Sequence, residues 1–355
     1  YASMGVDAAD FWAQYDHMYI PELGHNVSVT DYAHTLYIRA SWTDFNPQED
    51  VYGWKIDSNL RAYIEGAYQR NMRLAFRVVV DSRDKRTEFT PQFVKDAGAK
   101  GFMNKGKWSP YSDDPIFQKY YTKFVKTLAK DFNDPSKVEF IDGFGLGKWG
   151  EYHTMIYSTG DDTPKKAVFD WVTDIYSQAF DKVPVVINYH RWIGAGKDWV
   201  DDEHFAADSE EMLEEAIKKG YSLRHDAFGM TTYYGSWERR FAKKYRNICP
   251  IIMEGGWIVK SHSYWQDPRG YRKDSHEDVR RGEFDDSKEA HVNMMDFRFG
   301  DTESWFKDAF DLVRRFLREG GYRLYPSEIS LPLEVSKKTT PTIKHCWNNM
   351  GWGCC

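Results

Sequence analysis

Two glutamates in this sequence stand where catalytic carboxylates would be expected. Glu151 follows the apolar run of "FIDGFGLGKWGEYHT", residues 140–154, and Glu254 closes the apolar run of "PIIMEGGW", residues 250–257. Each lies close to glycine and tryptophan, although a packed core disfavours an unpaired charge. Two carboxylates that share a pocket can cleave a glycosidic bond, because one protonates the leaving oxygen and the other attacks or activates water. A salt bridge at the end of a strand is the alternative role for either glutamate.

Eight short apolar segments would position these carboxylates. Most of them precede a stretch with helical periodicity, and several, such as "RLAFRVVV" and "VPVVINYH", are continuous rather than alternating. Continuous apolar strands are typical of a parallel sheet that is covered on both faces. The predicted strands span residues 1–6, 35–42, 73–80, 138–145, 184–189, 224–232, 250–254 and 292–297.

Amphipathic helices are predicted between these strands. The stretch 114–132, for example, begins with Asp-Pro, which is typical of a helix start, and then repeats apolar residues on one face. Strands that alternate with helices over residues 1–320 predict an α/β fold, a (β/α)8 TIM barrel with enlarged loops. A doubly wound open sheet is the alternative, but neither a GxGxxG motif nor a P-loop occurs. In a barrel, Glu151 after the fourth strand and Glu254 on the seventh face the same mouth.

The character of the sequence changes after residue 320. The stretches "RLYPSEISLPLEV" and "TPTIKHCWNNMG" predict β strands with prolines and no helix between them. We therefore expect residues 321–355 to form a β-rich C-terminal segment, part of a truncated β-sandwich that continues beyond the last residue.

Composition narrows the range of partners. The 355 residues include 48 lysines and arginines against 54 aspartates and glutamates, which gives a net charge of −6. This balance disfavours nucleic acid and anionic membranes, since both require a basic surface. No apolar run reaches about 18 residues, so no membrane-spanning helix is predicted. Aromatic residues make up 17% of the chain, which suits stacking on sugar rings or an aromatic-rich core.

Other chemistries lack their motifs. The sequence contains no HxH or HExxH for zinc and no GxSxG for a serine nucleophile. The acidic clusters in "DSRDKRTEF" and "STGDD" could hold calcium, but such charge runs are more typical of solvated loops. We therefore predict no metal and no cofactor.

The stretch "LYIRASWTDFNPQEDVYGWKID" combines an arginine on a strand with a tryptophan and a proline–acid step. It resembles the second-strand region of the retaining glycoside hydrolases of clan GH-A, especially the family 42 type of β-galactosidase. "DGFGLGKWGEYH" and the tail "HCWNNMG" resemble more specifically an uncharacterised family from Bacteroidetes polysaccharide loci, in which a barrel precedes a domain of unknown function. The resemblance implies that Glu151 is the acid/base, Glu254 the nucleophile and Arg39 the residue that steadies the nucleophile. The chain departs from the clan at Gly150, where asparagine usually holds the sugar 2-hydroxyl.

Further residues are candidates for substrate binding. Tryptophans beside the strand ends could stack on sugars, polar groups on apolar strands need partners that sugar hydroxyls would supply, and the resemblance implies a tyrosine that hydrogen-bonds the nucleophile. Core packing or internal hydrogen bonding is the alternative for each, and for Arg77 an internal ion pair is favoured over a sugar contact. The candidates are Arg39, Trp42, Trp149, His153, Asn188, His190, Asp226, Tyr233, Tyr234 and Trp257.

The predicted function is that of a retaining glycoside hydrolase that cleaves O-glycosidic bonds of a polysaccharide or oligosaccharide. A β-galactoside or an algal, plant or host glycan fits the resemblance, and the sugar, the linkage and the oligomeric state stay open. The alternative is a barrel that binds glycans without cleaving them, within a polysaccharide-utilisation system. On the same resemblance we expect a bacterial protein that is secreted, periplasmic or at the cell surface.

Overall fold

Eight parallel strands follow one another through one sheet in the order of the chain. The computed structural model describes residues 2–3, 5–83, 87–196, 203–230, 233–256, 276–297, 302–338 and 340–353. Numbered β1 to β8, the strands are Ala2–Ser3, Thr35–Ser41, Arg73–Val79, Val138–Asp142, Val185–Asn188, Ser222–Phe228, Ile251–Gly255 and Met294–Asp296. Each overlaps one of the eight predicted segments, because long apolar runs bounded by polar residues mark buried strands well.

The sheet curls on itself, because side chains from distant strands meet inside it. Tyr37 on β2 has the guanidinium of Arg224 on β6 at 4.2 Å from its ring centre. Arg77 on β3 forms an ion pair with Asp226, also on β6. Contacts of this kind are those of a barrel whose interior is filled by side chains. The predicted (β/α)8 barrel fold is confirmed.

Inside the barrel, an apolar layer lies below a charged one. The apolar layer consists of Tyr37, Ala75, Phe140, Val186 and Ile252. Two residues further along the strands, the inward positions carry charged or polar side chains, because successive side chains of a strand alternate between the two faces of the sheet. These side chains are Arg39, Arg77, Asp142, Asn188 and Glu254.

The helices form the outer layer. The helix Pro115–Phe132 is typical, because Asp114 caps it by accepting hydrogen bonds from the N–H groups of Ile116 and Phe117 at 3.0 and 2.8 Å. Its apolar face is buried, as predicted. The remaining α-helices are Ala8–Asp16, Trp42–Phe45, Asn59–Gln69, Gln92–Asp96, Lys165–Ala179, Glu203–Lys218, Ser236–Tyr245, His276–Ala290, Thr302–Asp308 and Phe310–Glu319.

A β-hairpin follows the last helix. Its strands, Leu324–Ser330 and Lys344–Asn349, pair antiparallel, and the side chains of both are exposed. The chain then returns to the barrel, where the Nε1 of Trp352 donates a hydrogen bond of 2.9 Å to the carbonyl oxygen of Val292. The expectation that residues 321–355 are part of a β-sandwich stays a prediction.

Candidate active site

Arg39 on β2 lies between the two predicted carboxylates. Its Nη2 is 3.4 Å from Oε1 of Glu151, and its Nη1 is 3.9 Å from Oε1 of Glu254. The same Nη2 donates a hydrogen bond of 2.7 Å to the carbonyl oxygen of Trp149. Groups from β2, from β7 and from the loop after β4 therefore converge at the C-terminal ends of the strands, the end at which barrels of this kind place their chemistry.

The loop that carries Glu151 is strained. Trp149, Tyr152 and Thr154 have φ values of +59°, +61° and +50°, in the left-handed region. Such values are outliers for bulky or β-branched residues and cost on the order of 1–2 kcal/mol each. The surroundings compensate for this cost, since Tyr152 is fully buried and its N–H donates a hydrogen bond of 2.9 Å to the carbonyl oxygen of Leu146. Backbone strain of this kind is concentrated at functional sites.

Two glycines allow the same loop to fold tightly. Gly147 has a φ of +74°, and a Cβ at this position would lie 2.7 Å from the carbonyl oxygen of His153. Gly150 has the same φ, and a Cβ there would lie 3.3 Å from Cδ of Arg77. A side chain at position 150 would thus meet both an unfavourable φ and a crowded neighbour. This is a physical reason for glycine at position 150.

Glu151 has further polar neighbours. Its Oε1 is 3.7 Å from Nη1 of Arg77, and its Oε2 is 3.3 Å from Nε2 of His153. The Nε2 of His190 donates a hydrogen bond of 2.7 Å to the Glu151 carbonyl oxygen, while its Nδ1 accepts one of 3.1 Å from the Trp192 N–H. These partners fit a neutral ring with its proton on Nε2, and burial lowers the pKa of His190 well below its usual value.

Each carboxylate oxygen of Glu254 lies near a positively charged guanidinium group. Its side chain is 1% exposed, against 14% for Glu151. Its Oε2 accepts a hydrogen bond from Nη2 of Arg224 on β6, and that same Nη2 lies 2.9 Å from Oδ2 of Asp296 on β8. With Arg39 near its Oε1, the carboxylate lies between two guanidinium groups, which favour its ionised form.

A network of buried ions supports both glutamates. Arg77 binds Asp142 through Nε at 2.6 Å and also pairs with Asp226, while Nε of Arg224 is 3.0 Å from Asp226. Burial would raise the pKa of Asp226, but Arg77 and then Arg224 outweigh it and hold the pKa well below its usual range. Burial raises the pKa of Asp142, and the two arginines offset this only in part. The internal ion pair favoured for Arg77 is therefore present.

Several predicted binding residues lie near the two glutamates. Trp149 is half-buried, with its ring centre 5.7 Å from that of His153 in an edge-on arrangement. Asn188 on β5 pairs in register with Arg224, and its Oδ1 is buried with no hydrogen-bond partner among the described residues. Since a buried polar atom needs a partner, Asn188 is available for a bound hydroxyl. Substrate contact by these residues, and by His190, stays a prediction.

The prediction that Trp42 stacks on a sugar is wrong. Ser41 ends β2 and caps the short helix Trp42–Phe45, and the indole ring packs against the helix Pro115–Phe132 of the outer layer. The side chain is fully buried among aromatic rings of the outer layer. Its ring neighbours are Phe93, Phe117, Tyr121 and Phe124.

Tyr234 and Asp226 also differ from their predicted roles. Tyr234 is buried in the outer layer, where it stacks on Phe228 at 4.3 Å and its hydroxyl accepts a hydrogen bond of 3.2 Å from Tyr189. These contacts do not include the predicted hydrogen bond to the nucleophile. The carboxylate of Asp226 is committed to two arginines rather than to a sugar hydroxyl. Tyr233, half-buried beside Met230, remains a prediction, and Trp257 lies outside the described residues.

Sequence reasoning missed Arg224 and Asp296 as partners of the site. A signal was available, because both are charged residues within short apolar strands, and a charge in such a strand requires a buried partner. What sequence could not supply was the identity of that partner, since Arg224, Glu254 and Asp296 come from three separate strands.

Comparison with known proteins finds likeness in fold only. No protein-family model matches the chain, and no curated protein matches it. A trimodular endoglucanase of subfamily GH5_4 aligns over 84% of this chain and 56% of its own, with 11% identity and a TM-score of 0.46. The exo-β-1,4-mannosidase Op5Man5 from Opitutaceae bacterium strain TAV5 aligns over 77% of this chain, with 12% identity and a TM-score of 0.44.

The endo-glycoceramidase II from Rhodococcus sp. aligns over 66% of this chain and 69% of its own, with 12% identity and a TM-score of 0.39. This chain spans about half the length of the mannosidase, 49%. At such distances the likeness identifies neither a family nor a substrate.

Within the described ranges, no group of three or more histidine, cysteine, aspartate or glutamate side chains is arranged to hold a metal ion. None of the helices described there combines the length and apolar character needed to cross a membrane.

Proposed function

We propose that this protein is a glycoside hydrolase that cleaves O-glycosidic bonds by a retaining double displacement. The observation that carries the proposal is the placement of Glu151, from the loop after β4, and Glu254, from β7, on either side of Arg39, within 3.4 and 3.9 Å of its guanidinium. A pair of carboxylates at one barrel mouth is the machinery that glycosidic cleavage requires. The resemblance to clan GH-A implies that Glu151 is the acid/base and Glu254 the nucleophile.

In the first step, a carboxylate oxygen of Glu254 attacks the anomeric carbon while the bond to the leaving oxygen breaks. Glu151 donates its proton to that oxygen, so that the leaving group departs as an alcohol. In the second step, Glu151 accepts a proton from water, whose oxygen attacks the anomeric carbon and breaks the ester bond to Glu254. The solvent access of Glu151 suits this exchange of protons.

Substrate must displace the groups that cover Glu254, whose side chain is 1% exposed. The weakest of these contacts is that of Arg39 with the two glutamates, because both distances exceed those of normal charged hydrogen bonds. We infer that substrate hydroxyls bind Arg39 in place of the two glutamates and that this exposes Glu254 to the substrate. Trp149, half-buried at the same loop, would then stack on the sugar.

A second candidate function is supported by the same burial. A carboxylate held between two arginines could also serve only as a structural ion pair. In that case Glu254 would form no bond to the sugar, and the barrel would bind glycans without cleaving them. Both candidates place a carbohydrate at the mouth, and they differ in whether Glu254 forms a bond to it.

Trapping with 2-deoxy-2-fluoro glycosides separates these candidates. We expect an aryl glycoside panel, beginning with β-galactosides because of the family 42 resemblance, to reveal turnover that Glu254→Gln abolishes. The matching fluoro sugar should leave a covalent label on Glu254, located by peptide mass mapping. Sugar binding without turnover or label would favour the binding barrel. A label on another carboxylate, or inversion at the anomeric centre, would overturn the assignment. We also propose a secreted, periplasmic or cell-surface location, which fractionation of the native host would test.

A further inference from the structure

Arg224 occupies a central place in the buried ion network. Its side chain is fully buried, and its Nη2 contacts Glu254 on β7 and Asp296 on β8. Its Nε contacts Asp226 at 3.0 Å. One guanidinium thus joins three strands, and it approaches Glu254 on the oxygen that Arg39 does not contact.

We propose that Arg224 is a positioning residue that orients the Glu254 carboxylate and keeps it ionised, and that Asp296 limits this effect by competing for the same guanidinium nitrogen. The inference rests on the proposed function, in which Glu254 must be an ionised nucleophile. Arg224 touches no substrate, because it lies below the carboxylate within the barrel.

The charge balance around Glu254 sets the direction of each effect. An opposite charge within about 4–6 Å of a carboxylate lowers its pKa, and a like charge raises it. Removal of Arg224 should therefore raise the pKa of Glu254, whereas neutralising Asp296 should lower it. Among the described residues, the charged and titratable groups around Glu254 include Arg39 and Tyr37 from β2, Glu151 beyond Arg39, Arg224 and Asp226 from β6, Asp296 from β8, and Glu283 with its partner Arg280 from the helix behind Gly255.

Arg77 is a matched control for the loss of a buried arginine. Like Arg224, it is fully buried and pairs with Asp226, but the glutamate near it is Glu151, at 3.7 Å. A purely structural role for both arginines predicts similar losses in stability and no selective effect on Glu254. A positioning role predicts that only the Arg224 variant changes the ionisation of Glu254.

A cavity beside Arg224 permits a second, independent test. It has a volume of about 350 Å³ and is lined by Tyr37, Arg224 and Asp296 among other residues, but not by Arg77. The Nη1 of Arg224 faces no hydrogen-bond partner among the described residues. A small guanidinium ion supplied in solution could therefore enter this space when the Arg224 side chain is shortened.

The experiment measures the Glu254 pKa directly, by carbon NMR of protein labelled at the glutamate carboxyl carbon, with Glu254→Gln to assign the signal. We expect Arg224→Met to raise this pKa by about one unit or more and Asp296→Asn to lower it by about half a unit to one unit. Arg77→Met should leave it closer to the wild-type value. In the same variants, the acidic limb of kcat/KM should move in the same direction as the Glu254 pKa.

Because Arg224→Met removes one charged partner from each of Asp226, Glu254 and Asp296, it could fail to fold. Asp296→Asn removes a charge at nearly constant shape, so its pKa shift alone decides the matter: no shift, or an upward one, overturns the proposal. Arg224→Ala with methylguanidinium should regain activity and the wild-type acidic limb, whereas Arg77→Ala should not.

The NMR titration requires no turnover. A wild-type protein that cleaves no glycoside and traps no label would disprove the proposed function, while opposite shifts in the two variants would still establish the role of Arg224. Conversely, an active enzyme whose Glu254 pKa is unaffected by either variant would keep its function and lose this inference.

Discussion

Arg39 links two carboxylates that a retaining mechanism uses in different protonation states. Among its contacts with the described residues, the shortest, 2.7 Å, is with the carbonyl oxygen of Trp149, while its distances to Glu151 and Glu254 are longer. The guanidinium is therefore anchored on the backbone of the loop rather than on either carboxylate. At the scale of single residues, this leaves each glutamate free to exchange its Arg39 contact for substrate.

Replacing Glu151 by glutamine should affect substrates according to their leaving groups. A general acid contributes about 10²–10⁴-fold in rate when the leaving oxygen needs a proton, so alkyl glycosides should lose activity on that scale. Activated aryl glycosides, whose leaving groups depart unaided, should lose far less in the first step. Steady-state and burst kinetics on both substrate classes measure this. Equal losses on both would show that Glu151 is not the acid.

Two tryptophans provide a matched test of where the aromatic residues act. Trp42→Ala removes a fully buried ring and should lower the free energy of unfolding by about 3–5 kcal/mol. Trp149→Ala removes a half-buried ring and should instead raise KM by roughly 2- to 10-fold. Denaturant unfolding and kinetics on the folded fraction separate the two effects. If fully folded Trp42→Ala protein showed a raised KM, the prediction that Trp42 stacks on a sugar would be supported after all.

At the scale of elements, the loop from Gly145 to Thr154 depends on an unusual backbone conformation. Six of its residues have positive φ, and three of these are not glycine. The loop places Glu151 opposite β7 only while this conformation holds. Catalysis therefore depends more strongly on the stability of this loop than it would if the loop had ordinary backbone geometry.

Gly147→Ala should destabilise the loop and reduce kcat, because the added Cβ meets the His153 carbonyl oxygen at 2.7 Å as well as an unfavourable φ. Gly160→Ala is the matched control, since Gly160 has a φ of +78° and no atom within 4 Å of the added Cβ. The control should cost about 1 kcal/mol in the free energy of unfolding and leave kcat unchanged. Similar kcat values for the two variants would contradict the dependence of Glu151 on this loop.

At the scale of the whole molecule, buried titratable groups make the folded barrel sensitive to acid. Burial lowers the pKa of His190 well below its usual value and that of His225 to about 3. Below about pH 6.5, the unfolded chain takes up protons on these histidines that the folded barrel does not. The stability that they confer is therefore complete above that pH and is lost progressively as the pH falls towards their folded values.

His225→Gln should reduce the pH dependence of stability. His225 lies in the outer layer against Tyr189 and Tyr234, away from the two glutamates, so its replacement tests the fold and not the chemistry. Between pH 5 and pH 6, the slope of unfolding free energy against pH should fall by about 1.4 kcal/mol per unit. Urea unfolding at several pH values measures it. An unchanged slope in His225→Gln would contradict the burial effect.

Apart from Arg39, which only the resemblance to clan GH-A implied, the amino-acid sequence by itself determined the eight strands, their parallel order and the candidate carboxylates Glu151 and Glu254. These follow from local signals, because apolar runs and helical periodicity specify each element, and the alternation of strand and helix brings the C-terminal strand ends together. No distance between side chains is needed for that conclusion.

Only the tertiary structure decided which way individual side chains point and which charges pair. Trp42 and Tyr234 lie next to strand ends in sequence, yet both side chains are buried in the outer layer. The link from Arg224 to Glu254 and Asp296 joins residues that lie 30 and 72 positions apart in the chain. Such pairing depends on register and curvature across the whole barrel, since a shift of one residue would turn a side chain to the other face of the sheet.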